Sequence, residues 1–479
     1  MVVQDRTRLT GQLILYSRQV EEMTLEQYIQ SIQNYSIAVV GIGISNLPLI
    51  ELLCRHHCDV TACDRRTREQ LGAEAERLSE MGAKLILGEH YLDDLSQDLI
   101  FRTPGLMPFD SHLQAARQKG SVITSEMEVF FSLCPCRIIA VTGSDGKTTT
   151  TTLISELLKA AGCKVHLGGN IGKPLLCELP SISAEDVVVL ELSSFQLHSM
   201  DCRPDTAVIT NISPNHLDKH KDYQDYIDAK SSIFVHQRAD DRLILMADDP
   251  LTPYYSSIAG STISFFSDCR EVSKGCVCKD GVLSYVDGKH SVPIMRADEI
   301  RIPGQHNIRN VLAAFEAVRG EVPLNICRQV AMTFPGVPHR LEEIRVLDGV
   351  TYINDSIASS PSRTIAGLHA VRTKPIILLG GYDKKIPFDH LGDEICQLSK
   401  AAVVCGATAD SIYRAILSSG NYNGLPVYLT RNLEQSVKLA HLIAESGDIV
   451  VLSPACASFD AFRNFEERGL FFRKLVMSL

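Results

Sequence analysis

Thr142–Thr152 reads TGSDGKTTTTT and directly follows the apolar run Arg137–Val141, RIIAV. A strand entering a glycine turn that opens a helix aims backbone N–H groups and the positive helix end at an anion. Lys147 is placed to reach the β and γ phosphates of a nucleotide, and the Thr148 hydroxyl to reach Mg²⁺. The loop is shorter than the common G-x-x-x-x-G-K-[ST] form, because the residue five before Gly146 is Val141. Gly143, Ser144, Asp145 and Gly146 therefore make the whole turn. A carboxylate repels phosphate, so Asp145 is predicted to face solvent or a metal.

The flanking segments supply acids. VVVLEL and TAVITNI are continuous apolar runs, as expected of parallel strands covered on both faces. Glu191 ends the first, and His216 follows the second with Asp218 close by. Side chains at the C-terminal edge of parallel strands face the ligand crevice. Alone, Glu191 reads as a surface acid, His216 as a satisfied loop histidine and Lys230 as part of a solvated helix face. On adjacent strand ends beside the loop, Glu191 and His216 are candidate Mg²⁺ ligands.

Further out, SIAVVGIGISNLPLIELL is a second strand–turn–helix unit, with Gly41 and Gly43 but Asn46 at the third fingerprint position. Its following strand, DVTACD, ends at Asp64, where a ribose-binding acid belongs, and Arg65 and Arg66 come next. RTPGLMP reads as a strand-end loop. CVCKDGVLSYVDGKHSVPIM alternates around Asp-Gly turns and predicts an antiparallel excursion. From Val337, IILLGG, AAVVCG, PVYL and DIVVLSPA are strands separated by helical patterns, a further doubly wound α/β domain. The expected division is 1–127, 128–336 and 337–479.

The 479 residues suffice for two to four domains at roughly 150 residues each. A net charge of −10 argues against non-specific nucleic-acid or membrane binding. No apolar run approaches the ~18 residues that span a bilayer, and the N-terminus has no secretory pattern, so a cytoplasmic protein is expected. The 15 cysteines are scattered, without C-x-x-C pairs, and read mostly as small core residues.

These pieces in this order resemble the Mur ligases of peptidoglycan precursor synthesis, whose loop usually reads T-G-[ST]-[ND]-G-K-[ST]-T. The resemblance runs from about Ser36 to the end. It rests on GGNIG (168–172), ELSSFQL (191–197), NISPNHLD (211–218), YIDAK, PGQHNIRN (303–310), PHR (338–340), NDS (354–356), LGGYDK (379–384) and SPACASFDAFRNFEERG (453–469). It is strongest toward the branch that adds glutamate to UDP-N-acetylmuramoyl-L-alanine.

The resemblance implies three domains: an N-terminal Rossmann-like UDP-binding domain, a central P-loop ATPase-type α/β domain and a C-terminal Rossmann-like domain. It implies that Ile44, Ser45, Asp64, Arg65, Gly105 and Asn170 hold the UDP substrate. Gly143 to Thr149, with Asn307, Asn310, Arg340 and Asp355, would hold ATP. Two Mg²⁺ ions would be bound by Thr148, Glu191, His216 and Lys230, the last as a carbamate. Lys147, Glu191, His216 and Lys230 form the implied catalytic set. Ser359, Lys384, Ser458, Phe459 and Phe465 would receive the amino acid. The implied reaction passes through an acyl phosphate, with a monomeric enzyme and a third domain hinged near Pro335–Pro338.

The chain departs from that pattern in places. Glutamate-adding relatives mostly read N-D-S-K-A-T, whereas here Ile357 replaces the lysine that helps hold the side-chain carboxylate. Lys384 or Lys385 compensates, or the site takes L-glutamate or another amino acid. Asn215 and Asp145 are further departures. Residues 1–22 are expected to be a dispensable extension. Three rivals are a folylpolyglutamate synthase, opposed by the first βα unit, a nucleotide-binding regulator, opposed by the intact loop and acids, and a nicotinamide oxidoreductase, opposed by the missing third glycine.

Overall fold

A computed structural model describes residues 23–214, 219–371, 373–383 and 386–479. The expected extension, 1–22, lies outside the described residues. The chain divides into two compact units. One runs to Ile300 and resumes at Gln305–Met332, and the other comprises Arg301–Gly304 and Thr333–Leu479.

The first unit opens with a helix, Leu25–Ile32, capped by Thr24 and Gln27 in a reciprocal box. Its first sheet holds β1 (Ser36–Val40), β2 (Asp59–Asp64), β3 (Lys84–Leu87), β4 (Leu99–Phe101) and β5 (Val122–Thr124). The order is β3-β2-β1-β4-β5, all parallel. This is a doubly wound arrangement, whose crevice opens where the order reverses, beside β1.

The second sheet holds β6 (Arg137–Thr142), β7 (Val165–Gly169), β8 (Val187–Glu191), β9 (Thr206–Ile209), β10 (Arg242–Met246), β11 (Thr262–Ser267), β12 (Lys274–Lys279), β13 (Val282–Asp287) and β14 (His290–Arg296). Its order is β14-β13-β12-β11-β10-β9-β6-β8-β7. β6 lies between β8 and β9, so the chain reverses direction of travel there and the glycine loop emerges at the switch point. β13 and β14 are antiparallel, as their alternation predicts. Asp280 and Gly281 both have positive φ, the backbone of a tight hairpin turn.

The threonine run lies in the helix Lys147–Ala160. β-Branched residues disfavour helices, but Thr149 to Thr151 are buried by tertiary packing. Thr151 and Thr152 donate to the carbonyls of Lys147 and Thr148 at 2.8 and 2.7 Å. These bonds satisfy their hydroxyls within the helix.

The second unit holds β15 (Glu342–Leu347), β16 (Val350–Asn354), β17 (Ile376–Leu379), β18 (Ala401–Val404), β19 (Val427–Leu429) and β20 (Ile449–Leu452), ordered β15-β16-β20-β17-β18-β19. Only β15 is antiparallel. Successive strand residues alternate between faces. Ile377, Leu379 and Val451 accordingly join one apolar cluster, and Ile376, Leu378 and Val450 the other. All 15 cysteines are free, and ten are buried, as small core residues should be.

Candidate active site

Two glycines shape the loop after β6. Gly143 has φ +146° and Gly146 +79°. A Cβ on Gly143 would fall 1.9 Å from Thr210 Oγ1, and one on Gly146 2.3 Å from Asn310 Oδ1. The end of β9 clamps the turn. Ser144 N–H donates to Asn211 O at 2.8 Å, and the Asn211 side chain closes a two-way bond with the Asp145 backbone, at 3.1 and 2.9 Å. The Ser144 hydroxyl lies 2.9 Å from both Ser213 O and the Tyr226 hydroxyl. Asp145 is exposed, one of its two expected orientations. The Lys147 ammonium donates to the carbonyls of Gly143 and Ser144 at 2.9 and 3.0 Å, so it lies over the phosphate cradle.

Lys230 is not on a solvated face. It is 1% exposed, donates to Gly143 O at 2.8 Å and Thr142 Oγ1 at 3.3 Å, and lies 4.7 Å from the Tyr226 ring centre. Burial, then the charge of Lys147, hold its pKa well below the usual lysine range. Asp225, on the same helix (Tyr223–Ser231), pairs with His198 at 2.9 Å and His220 at 2.8 Å. His220 reaches Ser194 at 2.9 Å, tying the Lys230 helix to the segment after Glu191.

Glu191 is 2% exposed. Its Oε1 accepts from Asn170 Nδ2 at 2.8 Å, while its buried Oε2 has no hydrogen-bond partner among the described residues. A buried carboxylate oxygen is normally satisfied, so this donor set fits a cation bound beside Thr148. The helix Gln305–Ala317 brings up Asn310, whose Oδ1 lies 3.4 Å from Thr150 Oγ1 and whose Nδ2 donates to Asn307 at 3.1 Å. His216 and Asp218 lie outside the described residues.

In the first sheet, Asp64 is buried and accepts from Ile42 N–H at 2.7 Å and Arg66 N–H at 2.8 Å. Burial pushes its pKa up, but these bonds and the Arg66 guanidinium outweigh that and hold it low. Asp64 thus fixes the glycine turn, with Arg66 as its partner, while Arg65, Ile44 and Gly105 are exposed at the crevice edge and Ser45 is half-buried. Asn46 occupies the third glycine position and donates to Val40 O at 2.9 Å.

Arg102 was unmarked by sequence reasoning. It is 1% exposed and donates to Phe195 O at 3.2 Å and to Ser199 Oγ, which itself donates to Glu128 at 2.7 Å. It thereby joins the first sheet to the segment after β8. A cavity there is lined by Ser45, Arg102, Glu126, Gly169 and Gln196 among others. Burial raises the Glu126 pKa to about 7. An arginine ending a strand before T-P-G was the available signal.

In the second unit, Asp355 is buried, accepts from Leu341 N–H at 3.2 Å and Ser453 Oγ at 2.7 Å, and has its pKa raised to about 7 by burial. Arg340 and Ser359 are half-buried. Arg468, also unmarked, is 3% exposed and donates to Ser356 O and Oγ, Cys456 O and Ala457 O at 2.9–3.1 Å. It binds the loop after β16 to the loop after β20, which puts Ser359 and Ser458 on one edge. Phe459 is 65% exposed and stacks edge-on with Tyr382, and Phe465 packs on His339. Lys384 and Lys385 lie outside the described residues.

A strand–loop–helix phosphate cradle at the switch point of a parallel sheet defines a nucleotide-binding α/β protein. Residues 141–318 match the family model Mur ligase middle domain, and 339–456 match Mur ligase, glutamate ligase domain. The UDP-N-acetylmuramoylalanine--D-glutamate ligase of Acetivibrio thermocellus is 48% identical over 460 residues, 95% of this chain and 99% of the relative. That of Clostridium perfringens is 46% identical over 456 residues, 95% and 99%. In fold, the chain is similar to the UDP-N-acetylmuramate-alanine ligase MurC of Thermotoga maritima, with TM-score 0.57, 19% identity and coverage of 93% and 100%. The chain belongs to the Mur ligase family.

Proposed function

We propose that this chain joins D-glutamate to UDP-N-acetylmuramoyl-L-alanine, converting ATP to ADP and phosphate, in peptidoglycan precursor synthesis. The observation that carries the reading is identity of 48% over 95% of the chain to a ligase of that name. The loop, Glu191 and Lys230 are also assembled around one phosphate cradle.

A carboxylate is a poor acyl donor. The substrate carboxylate attacks the γ phosphorus of ATP, an acyl phosphate forms and ADP leaves. The glutamate amine then attacks the acyl carbon, loses a proton, and phosphate departs from the tetrahedral intermediate. Lys147 and the N–H groups from Gly146 into the helix start offset the charge developing on the transferred phosphoryl group, on a loop whose shape the bonds from Ser144 and Asp145 N–H to Asn211 hold. Thr149 continues this grip at the helix start, and Asn307 and Asn310 flank it.

Thr148, Glu191 and His216 are the residues that would hold Mg²⁺, which supplies further charge neutralisation at the β and γ phosphates. Lys230 completes the set as a carbamate. Its neutral amine attacks CO₂, an N–C bond forms, a proton leaves, and a buried cation becomes an anion. Residues 1–127 take the UDP substrate through Ile44, Ser45, Asp64, Arg65, Gly105 and Asn170, and 128–336 take the nucleotide. Residues 337–479 contribute Arg340 and Asp355 to ATP, and Ser359, Lys384, Ser458, Phe459 and Phe465 to the amino acid. We place the enzyme in the cytoplasm as a monomer; no helix among the described residues is long and apolar enough to cross a membrane.

The test is product mass. With ATP, Mg²⁺, D-glutamate and UDP-N-acetylmuramoyl-L-alanine, the UDP product gains one glutamyl residue and one ADP forms per amide. Absence of that product from folded protein that binds ATP overturns the reading.

A further inference from the structure

Cys134 and Cys136 are separated by a single proline. Cys134 ends the helix Glu126–Leu133, Pro135 follows, and Cys136 immediately precedes β6. Here the chain leaves the first sheet and enters the strand that leads into the phosphate loop.

A C-x-C spacing does not by itself bring two thiols together. Cys276 and Cys278 have the same spacing on β12, where an extended strand sets alternate residues roughly 6.6 Å apart along one face. That exceeds the Cβ separation of a disulfide, about 3.5–4.5 Å. At Cys134 the backbone bends instead. Its φ of −67° and ψ of 120° suit the residue before a proline, and the Pro135 ring fixes the next φ near about −65°. The two sulfurs come to 3.8 Å, with Cys134 Sγ 3.5 Å from Cys136 O.

The two thiols are unlike. Cys136 is buried, whereas Cys134 is half-buried. The hydrogen bond from Cys136 lowers the Cys134 pKa, while that bond and then burial push the Cys136 thiol up. A more accessible, more acidic thiol beside a covered one is the arrangement of an attacking and a resolving cysteine. The pair belongs to none of the groups of three His, Cys, Asp or Glu side chains that could hold a metal among the described residues.

We propose that Cys134 and Cys136 form a reversible disulfide with a low-molecular-weight disulfide as oxidant, Cys134 attacking and Cys136 resolving. The Cys134 thiolate attacks one sulfur of the oxidant, a mixed disulfide forms and one thiolate leaves. Cys136 gives up its proton and attacks Cys134 Sγ, a second thiolate leaves and the internal bridge closes. Two cysteine thiols are oxidised, the oxidant is reduced to two thiols, and these take up the two cysteine protons. In a reducing compartment the pair rests as thiols, and the bridge marks a shift to oxidising conditions. The site goes beyond the ligase reading and does not depend on it.

The experiment holds the freshly reduced full chain at glutathione ratios from wholly reduced to wholly oxidised. Remaining thiols are trapped with iodoacetamide in denaturant, and the protein is digested with trypsin. Cleavage after Lys119 and Arg137 releases one peptide that contains both cysteines and no other. After oxidation, this peptide is expected two hydrogens lighter than its reduced form, with no alkyl group. Dithiothreitol before trapping restores two alkyl groups. Cys136→Ser stops at the mixed disulfide, with one glutathione on Cys134, and Cys134→Ser leaves Cys136 alkylated and free of glutathione. A peptide that takes two alkyl groups at every ratio overturns the proposal. So does one bearing two glutathiones, or a bridge from either residue to another cysteine. Glutathione on Cys136 in Cys134→Ser, with none on Cys134 in Cys136→Ser, overturns the assignment of attacking and resolving thiols.

Discussion

Lys230 is a buried amine whose nearest polar atoms are a carbonyl and a hydroxyl, not a carboxylate. Its lowered pKa enlarges the share of the neutral, nucleophilic form relative to an ordinary lysine. Acid favours the ammonium form and reverses carbamate formation. Activity is therefore expected to fall as CO₂ is stripped from the buffer, more steeply at lower pH, and to return with bicarbonate. Phosphate release in degassed buffer checks this, and Lys230→Ala should lose about a hundredfold or more, with or without bicarbonate. Glu126 tests the electrostatics of the first crevice. Its folded pKa of about 7 exceeds an unfolded value near 4.5. The folded state therefore holds the extra proton between those values, and stability falls as pH rises through that window. Glu126→Gln should gain on wild type from pH 4.5 to 7.5 by up to about 3 kcal/mol, read from denaturant melts. Lys147, Glu191 and Lys230 were legible from motif and strand ends. The burial of Lys230 was not, because helix periodicity does not say which polar face becomes covered. Arg102 and Arg468 stood in quoted motifs, but their roles were not legible, because Arg102 bonds the remote Phe195 and Ser199 and Arg468 joins Ser356 to Cys456 and Ala457.

The loop after β6 makes the next prediction. Gly143→Ala must place a Cβ against Thr210 and 3.1 Å from Asn211 O, at a φ that L side chains rarely adopt. Strain and lost clamping should cost about 2–4 kcal/mol and abolish the rise in melting temperature on adding ATP. A variant that melts like wild type and still responds to ATP would contradict the phosphate-cradle assignment. In the second unit, Arg468→Met leaves the Ser356, Cys456 and Ala457 oxygens without their donor. A loss of about 2–4 kcal/mol is expected, read as an earlier thermal transition. Strand type was legible at this scale: continuous apolar runs became parallel strands, and alternation around Asp-Gly became β12 to β14. Strand order was not, because pairing between segments far apart depends on which faces the helices cover.

Across the molecule, three sheets carry the family's pattern, and relatives near half identity span 95% of the chain. The ordered run of motifs made that architecture readable, since GGNIG, ELSSFQL, NISPNHLD, NDS, LGGYDK and SPACASF each follow or end a strand, while YIDAK lies on a helix and PGQHNIRN enters one. What the motifs left open is the acceptor, because Ile357 stands where glutamate-adding relatives mostly carry a lysine. The central claim is therefore tested most directly by phosphate release from ATP with Mg²⁺, UDP-N-acetylmuramoyl-L-alanine and a panel of amino acids. Release with D-glutamate, and little with L-glutamate or D-glutamine, is the predicted result. Release with a different amino acid and none with D-glutamate would contradict it.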